Sequence, residues 1–179
     1  QASMTIYSKR PNLVRQETKV AGQFVINGFD GVTPWIVNPL AGPPRPIVVS
    51  GPQADMIREQ SEFDGPLVGY KGRGLVISAE GIETFGDVAL IHLRVTSLTK
   101  QVRHLFLDST TYLEVRLTTE QDKVKLDQEF SDYRDVDGIQ VPFLIRTSTN
   151  GVMQSELKVQ TVEFNVKMDD ELFRIPKGS

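Results

Sequence analysis

From about residue 90 to residue 147 the chain alternates apolar and polar side chains with a period of two. In 90–95, Ile91, Leu93 and Val95 fall on one side, His92 and Arg94 on the other. In 112–117, Leu113, Val115 and Leu117 oppose Tyr112, Glu114 and Arg116. In 123–130, Val124, Leu126 and Phe130 oppose Lys123, Lys125, Asp127 and Glu129. Successive side chains of a β-strand point to opposite faces, whereas a helix repeats every 3.6 residues. The pattern therefore requires strands with one face buried and one wet, as in antiparallel sheets.

The separators agree with this reading. Asp137-Gly138 and Asn150-Gly151 are dipeptides in which both residues tolerate positive φ, as the tightest hairpins demand. FSDYRDVDGIQVPFLIR, residues 130–146, then reads as two strands, 130–136 and 139–147, joined at Asp137-Gly138. Val141, Phe143 and Ile145 share a face, and Pro142, which lacks an N–H, predicts an edge strand or a bulge. Residues 20–38 read as a hairpin whose loop is 27–31 (Asn-Gly-Phe-Asp-Gly), followed by a proline-rich loop at 40–46. A helix is predicted over 53–60, with Pro52 in its first turn, where a missing N–H costs nothing. A second short helix is predicted over Asp169–Phe173, its acidic pair at the N-terminus and Pro176 beyond its end. The expected fold is mainly β: one domain over 1–179, an open, strongly curved antiparallel sheet with one or two short helices over its concave face. The abrupt opening, QASMTIYSKRP, already alternates like a strand and reads as a start partway into that fold.

Several chemistries are excluded or disfavoured. With no cysteine, the chain has no thiol nucleophile, disulfide or thiolate metal site. A net charge of −3 argues against nucleic acid, whose phosphates require a basic face. No apolar run approaches the ~20 residues of a membrane-spanning helix, and residues 1–20 carry charges where a leader would be apolar. The only histidines, His92 and His104, sit on the polar sides of strands, too few for the three or four ligands of a zinc site. GYKGRG, residues 69–74, has spaced glycines without the strand-loop-helix setting of a phosphate cradle and reads as an exposed turn. Asp132, Asp135 and Asp137 read as turn and surface residues; a hydrolase built on them is the enzyme alternative. No catalytic residue, metal ligand or cofactor is predicted.

What remains is apolar surface. A sheet of roughly eight or more strands curls, and one that curls without closing leaves a concave apolar face to be covered. Short helices over it would enclose a cavity suited to an acyl chain. Strand parity assigns to that cavity Phe24, Ile26, Trp35, Ile91, Leu93, Leu105, Leu107, Val115, Leu126, Val141 and Phe143, and the helical region adds Met56, Ile57 and Phe63. A slip of one residue would turn any strand's set to the other face.

Five segments occur in an order and spacing that resemble bacterial outer-membrane lipoprotein-sorting-like proteins of the LolA/LolB-like superfamily: SKRPNLVRQE (8–17), GFDGVTPWIVNP (28–39), FLDSTTYLEVR (106–116), residues 130–146, and VEFNVKMDDELFRIP (162–176). Trp35, Tyr133, Gly138, Pro142, Asn165, Phe173 and Pro176 carry the match residue by residue. Relative to the family pattern, an N-terminal helix and first strand are missing. The helix arginine that holds the closed state in the carriers has no established counterpart, although Arg58 lies on the predicted helix. The resemblance implies a curved sheet plugged by helices and a periplasmic, monomeric, non-catalytic carrier of a lipid or lipoprotein acyl chain. The alternative is an envelope domain with a packed interior that binds a partner protein or senses lipid or stress.

Overall fold

The computed structural model describes residues 2–98, 100–121 and 123–176. They divide into two compact units, Gln1–Gly65 with Lys167–Ser179, and Pro66–Val166. In each, strands follow one another as an antiparallel meander, and neither sheet closes on itself. The protein is mainly β, with one α-helix and a single 3-10 turn among the described residues.

In the first unit β1 (Ser3–Lys9), β2 (Leu13–Val20), β3 (Gln23–Phe29), β4 (Pro34–Val37) and β5 (Pro46–Val48) pair in sequence order. The predicted hairpin at 20–38 forms, but Asn27, Gly28 and Phe29 belong to β3 and the turn begins later. The cause is Asp30, whose carboxylate accepts from the N–H groups of Val32 and Thr33 at 3.0 and 2.7 Å and folds the chain into an Asx turn there. The helix α1 (Pro52–Ser61) begins with Pro52, as its sequence predicts. Its Ala54 and Ile57 join Val14, Phe29, Ile36 and Val49 in one buried cluster. By register, Val14, Phe29 and Ile36 share one face of the sheet.

The other face is built on Trp35. Gly28 lies directly opposite it, and a Cβ on Gly28 would sit 2.2 Å from the indole Cζ2. The indole therefore lies flat on bare backbone. It is 0% exposed, and its Nε1–H donates to the Phe173 carbonyl at 2.9 Å. Phe173 ends the 3-10 turn Asp170–Phe173, where the predicted second helix shortens to one turn, with the Asp169 carboxylate accepting from the Glu171 N–H.

The second unit is a seven-stranded meander: β6 (Val76–Phe85), β7 (Val88–Thr96), β8 (Val102–Asp108), β9 (Glu114–Gln121), β10 (Val124–Val136), β11 (Ile139–Thr149) and β12 (Val152–Lys158). Asp137 and Gly138 take φ of 52° and 83°, and Asn150 and Gly151 take 49° and 78°, so both predicted hairpins turn on paired positive φ. Strand β9 starts at Glu114, two residues after the alternation does. The Asp108 carboxylate accepts from Thr110 and Thr111, and the turn runs on to Tyr112 at φ 59°. Pro142 lies in β11 opposite Tyr133, where β12 has not begun to pair, because its register starts at Leu144. That stretch of β11 has one neighbour, as the proline requires.

A methyl group at position 28 must displace the indole or the strand. Gly28→Ala should destabilise the protein by about 1–3 kcal/mol through overpacking. Urea unfolding followed by the fluorescence of the chain's one tryptophan checks this, and an unchanged midpoint would contradict the packing described.

Candidate functional site

In the seven-stranded sheet the register places Ile91 opposite Leu107, Leu93 opposite Leu105, and Leu105 opposite Leu117. Leu117 faces Gln128, two residues from Leu126 and from Phe130, which pairs with Ile145 on β11. Parity along β11 adds Phe143 and Val141. Ile91, Leu93, Leu105, Leu107, Leu126, Val141 and Phe143 thus occupy one face, as the alternation predicts. Leu117, Phe130 and Ile145 share it without having been assigned to the cavity, although their parity in the sequence is the same. Leu105 is 1% exposed and Phe143 is buried; Ile91, Leu93, Leu107 and Val141 are half-buried, and Leu126 is exposed. The Arg134 guanidinium covers the Phe143 ring at 4.4 Å and pairs with Asp132 at 2.6 Å.

One irregularity breaks this face. Between Phe106 and Leu107 the β8–β9 register shifts by one, so that Glu114 lies opposite Leu107 and Val115 is the extra residue of a bulge. The Tyr133 hydroxyl donates to the Glu114 carbonyl at 2.6 Å. Burial raises the Glu114 carboxyl to about 7. Burial, and then the nearby Glu114 charge, push the Tyr133 phenol to about 12. Nothing in the alternation marked Glu114, because period two treats it as one more wet-face residue.

The opposite face carries a polar chain across three strands. The Glu83 carboxylate meets His92 Nδ1 at 2.6 Å, and His92 Nε2 meets His104 Nδ1 at 2.7 Å. His92 stacks on Phe106 at 4.5 Å, while the Arg116 guanidinium lies over Phe85 at 4.3 Å. Asp127 accepts from the Thr118 hydroxyl at 2.5 Å. The two histidines do lie on the polar sides of their strands, but they are hydrogen-bonded to each other. Among the described residues no group of three or more His, Asp or Glu is arranged to hold a metal ion. Asp132, Asp135 and Asp137 are exposed; Asp135 accepts from the Gly138 N–H within the hairpin.

The residues assigned to the cavity from the first unit do not converge. Phe24, Ile26 and Trp35 share the sheet face that carries the 3-10 turn, whereas Ile57 is buried against the other face. Phe24 is exposed, with Lys19 Nζ 5.8 Å from its ring centroid. Met56 is 56% exposed on the outer side of α1, and Phe63 lies under the Arg10 guanidinium at 4.4 Å. Sequence spacing does not say which face of a sheet a helix covers, and here α1 packs on the face of Val14, Phe29 and Ile36. A pocket of about 450 Å³ in this unit is lined by Arg15, Glu171, Arg174, Ile175 and Pro176, none of them in the assigned set. Arg15 holds Glu17 at 2.7 Å and donates to the Leu172 carbonyl, and Arg174 pairs with Glu171.

Three solved structures share this fold. A DUF1329 family protein from Desulfovibrio piger matches with a TM-score of 0.58 at 14% identity, covering 97% of this chain and 80% of that one. A LolA superfamily protein from Nitrosomonas europaea matches at 0.55 and 11% identity, over 97% and 87%. A domain from Vibrio parahaemolyticus described as an outer membrane lipoprotein-sorting protein matches at 0.53 and 14% identity, over 96% and 82%. No family model and no curated protein matches the chain. The chain therefore has a LolA-like fold, and the likeness is one of architecture.

The histidine chain has a consequence for stability. Burial, and then the neighbouring His92 and Arg94, lower the pKa of His104 from its usual 6.5. As pH falls below about 6.5 the unfolded chain takes up this proton before the folded one, so the contribution present above that pH is lost. Thermal unfolding between about pH 7.5 and pH 5 should show a shallower loss of stability in His104→Gln than in the wild type; equal slopes would contradict a lowered pKa at His104.

Proposed function

We propose that this protein is a non-catalytic carrier that holds the acyl chain of a lipid or lipoprotein against the apolar face of its seven-stranded sheet, acting as a single-domain monomer in the bacterial periplasm. The observation that supports it most is the cross-strand set Ile91–Leu107 and Leu93–Leu105–Leu117, with Val141 and Phe143 on the same face, most of whose members stay half-exposed. Apolar area of this kind binds hydrocarbon at ~0.8 kcal/mol per buried methylene without polar recognition. The LolA-like architecture and a neighbour described as a lipoprotein-sorting domain favour the same reading. Among the described residues no helix is long and apolar enough to cross a membrane. Trp35, with its carbonyl partner at Phe173, serves the fold in this reading and not the ligand.

The second reading, an envelope domain that binds a partner protein or senses lipid or stress, rests on Leu105 and Phe143, which are already buried. Binding separates the two. The protein should take up a fluorescent fatty acid, and a long-chain alcohol should displace it. The double variant Ile91→Ala, Leu107→Ala should weaken uptake by about tenfold or more, from several lost methylene contacts, while keeping its β-sheet circular dichroism. No uptake by the wild type, or equal uptake by the folded variant, would favour the second reading.

A further inference from the structure

The row that the carrier reading uses ends at an acid. Glu114 lies opposite Leu107 and adjoins Val115, at the one place where the β8–β9 register shifts. Its carboxylate has no hydrogen bond or ion pair among the described residues; only its backbone carbonyl is engaged, by Tyr133. The neighbouring charges lie on the other face, are held by other residues or have the wrong sign. Arg116 lies on the other face, where it stacks on Phe85 and Phe106 and reaches Glu129 at 3.6 Å, its buried Nε without a hydrogen-bond partner. Arg134 is held by Asp132 and lies over Phe143. Asp108, the last residue of β8, is an anion held by the Thr110 and Thr111 N–H groups. Tyr133 stays neutral, since burial moves its phenol upward. A half-buried carboxylate without a partner weakens the fold, and such groups mark sites where an apolar surface keeps a polar group for its ligand.

We infer that Glu114 binds the cationic head of the ligand, so that the preferred cargo is an acyl or alkyl lipid bearing a primary ammonium group, its tail along Leu107 and Ile91. This inference rests on the carrier reading and names its ligand class. The ammonium would supply the cation that the chain does not, and a charge-assisted hydrogen bond in a partly desolvated place discriminates strongly against an uncharged head. Because burial raises the Glu114 carboxyl to about 7, the site would be charged and selective above that pH and neutral below it. An alkylamine keeps its proton over this whole range, so the pH dependence belongs to the protein.

Displacement of a fluorescent long-chain alcohol, whose uncharged head Glu114 neither attracts nor repels, by dodecylamine and by dodecanol, chains of equal length, tests the inference. At about pH 8 the amine should bind roughly tenfold more tightly than the alcohol, and this preference should vanish near pH 5. Glu114→Gln should abolish the preference at about pH 8 and leave dodecanol binding unchanged. The same variant should unfold at a higher temperature than the wild type at about pH 8, and this advantage should shrink as pH falls below about 7 and disappear only below about pH 4, where the unfolded carboxyl is protonated too. Equal binding of amine and alcohol, or a preference that survives Glu114→Gln, overturns the inference while leaving the carrier reading in place. Failure of both ligands to displace the probe, or of the probe to bind, overturns the carrier reading and this inference with it.

Discussion

The structure depends on parity. In an antiparallel meander every side chain is committed to a face by its position modulo two and by the register of its strand. A single-residue slip exchanges the two faces completely. Here the register is pinned at the hairpins. Asp137-Gly138 and Asn150-Gly151 turn the chain on paired positive φ, and Asp108 and Asp30 set the longer turns by accepting from N–H groups two and three residues on. With those turns in place, the leucines of β7, β8 and β9 meet across the sheet, and the histidines, Phe106 and Arg116 meet on its other side. A greasy face and a polar, aromatic face are thus two results of one alternation.

In the first unit the same principle works through a single large residue. Trp35 needs a flat bed and an acceptor for its indole N–H. Gly28 supplies the bed by having no side chain, and the Phe173 carbonyl supplies the acceptor from a segment 138 residues further along. The contact closes one face of the sheet and ties the C-terminal 3-10 turn to it. The other face is closed by α1 through Ala54 and Ile57. The five-stranded sheet is thus packed on both faces, against the 3-10 turn on one and against α1 on the other.

The bulge at Glu114 shows how a small departure from regularity can carry chemistry. Strict alternation leaves an acid on the wet face, where it costs nothing. One extra residue in β9 sets this acid opposite Leu107 and half buries it, and the carboxyl answers by holding its proton up to about 7. The histidine chain is the counterpart on the other face. Three side chains from β6, β7 and β8 become a hydrogen-bonded line only because their strands are adjacent and in register.

Much was legible in the chain before any coordinates. Period-two alternation and the Asp-Gly and Asn-Gly pairs identify the strands, the antiparallel pairing and the two tight hairpins, because those features follow from local sterics and from nearest neighbours. Parity alone assembles Ile91, Leu93, Leu105, Leu107, Leu126, Val141 and Phe143 on a common face, and Pro52 marks where the helix begins. Tertiary structure decided the rest. The division into two sheets, the covering of the Trp35 face by a 3-10 turn and of its reverse by α1, the pairing of His92 with His104 and the isolation of Glu114 all depend on which residues distant in sequence are brought together. Local propensity acts over a few bonds, whereas register shifts and face coverage are set by packing across the whole sheet.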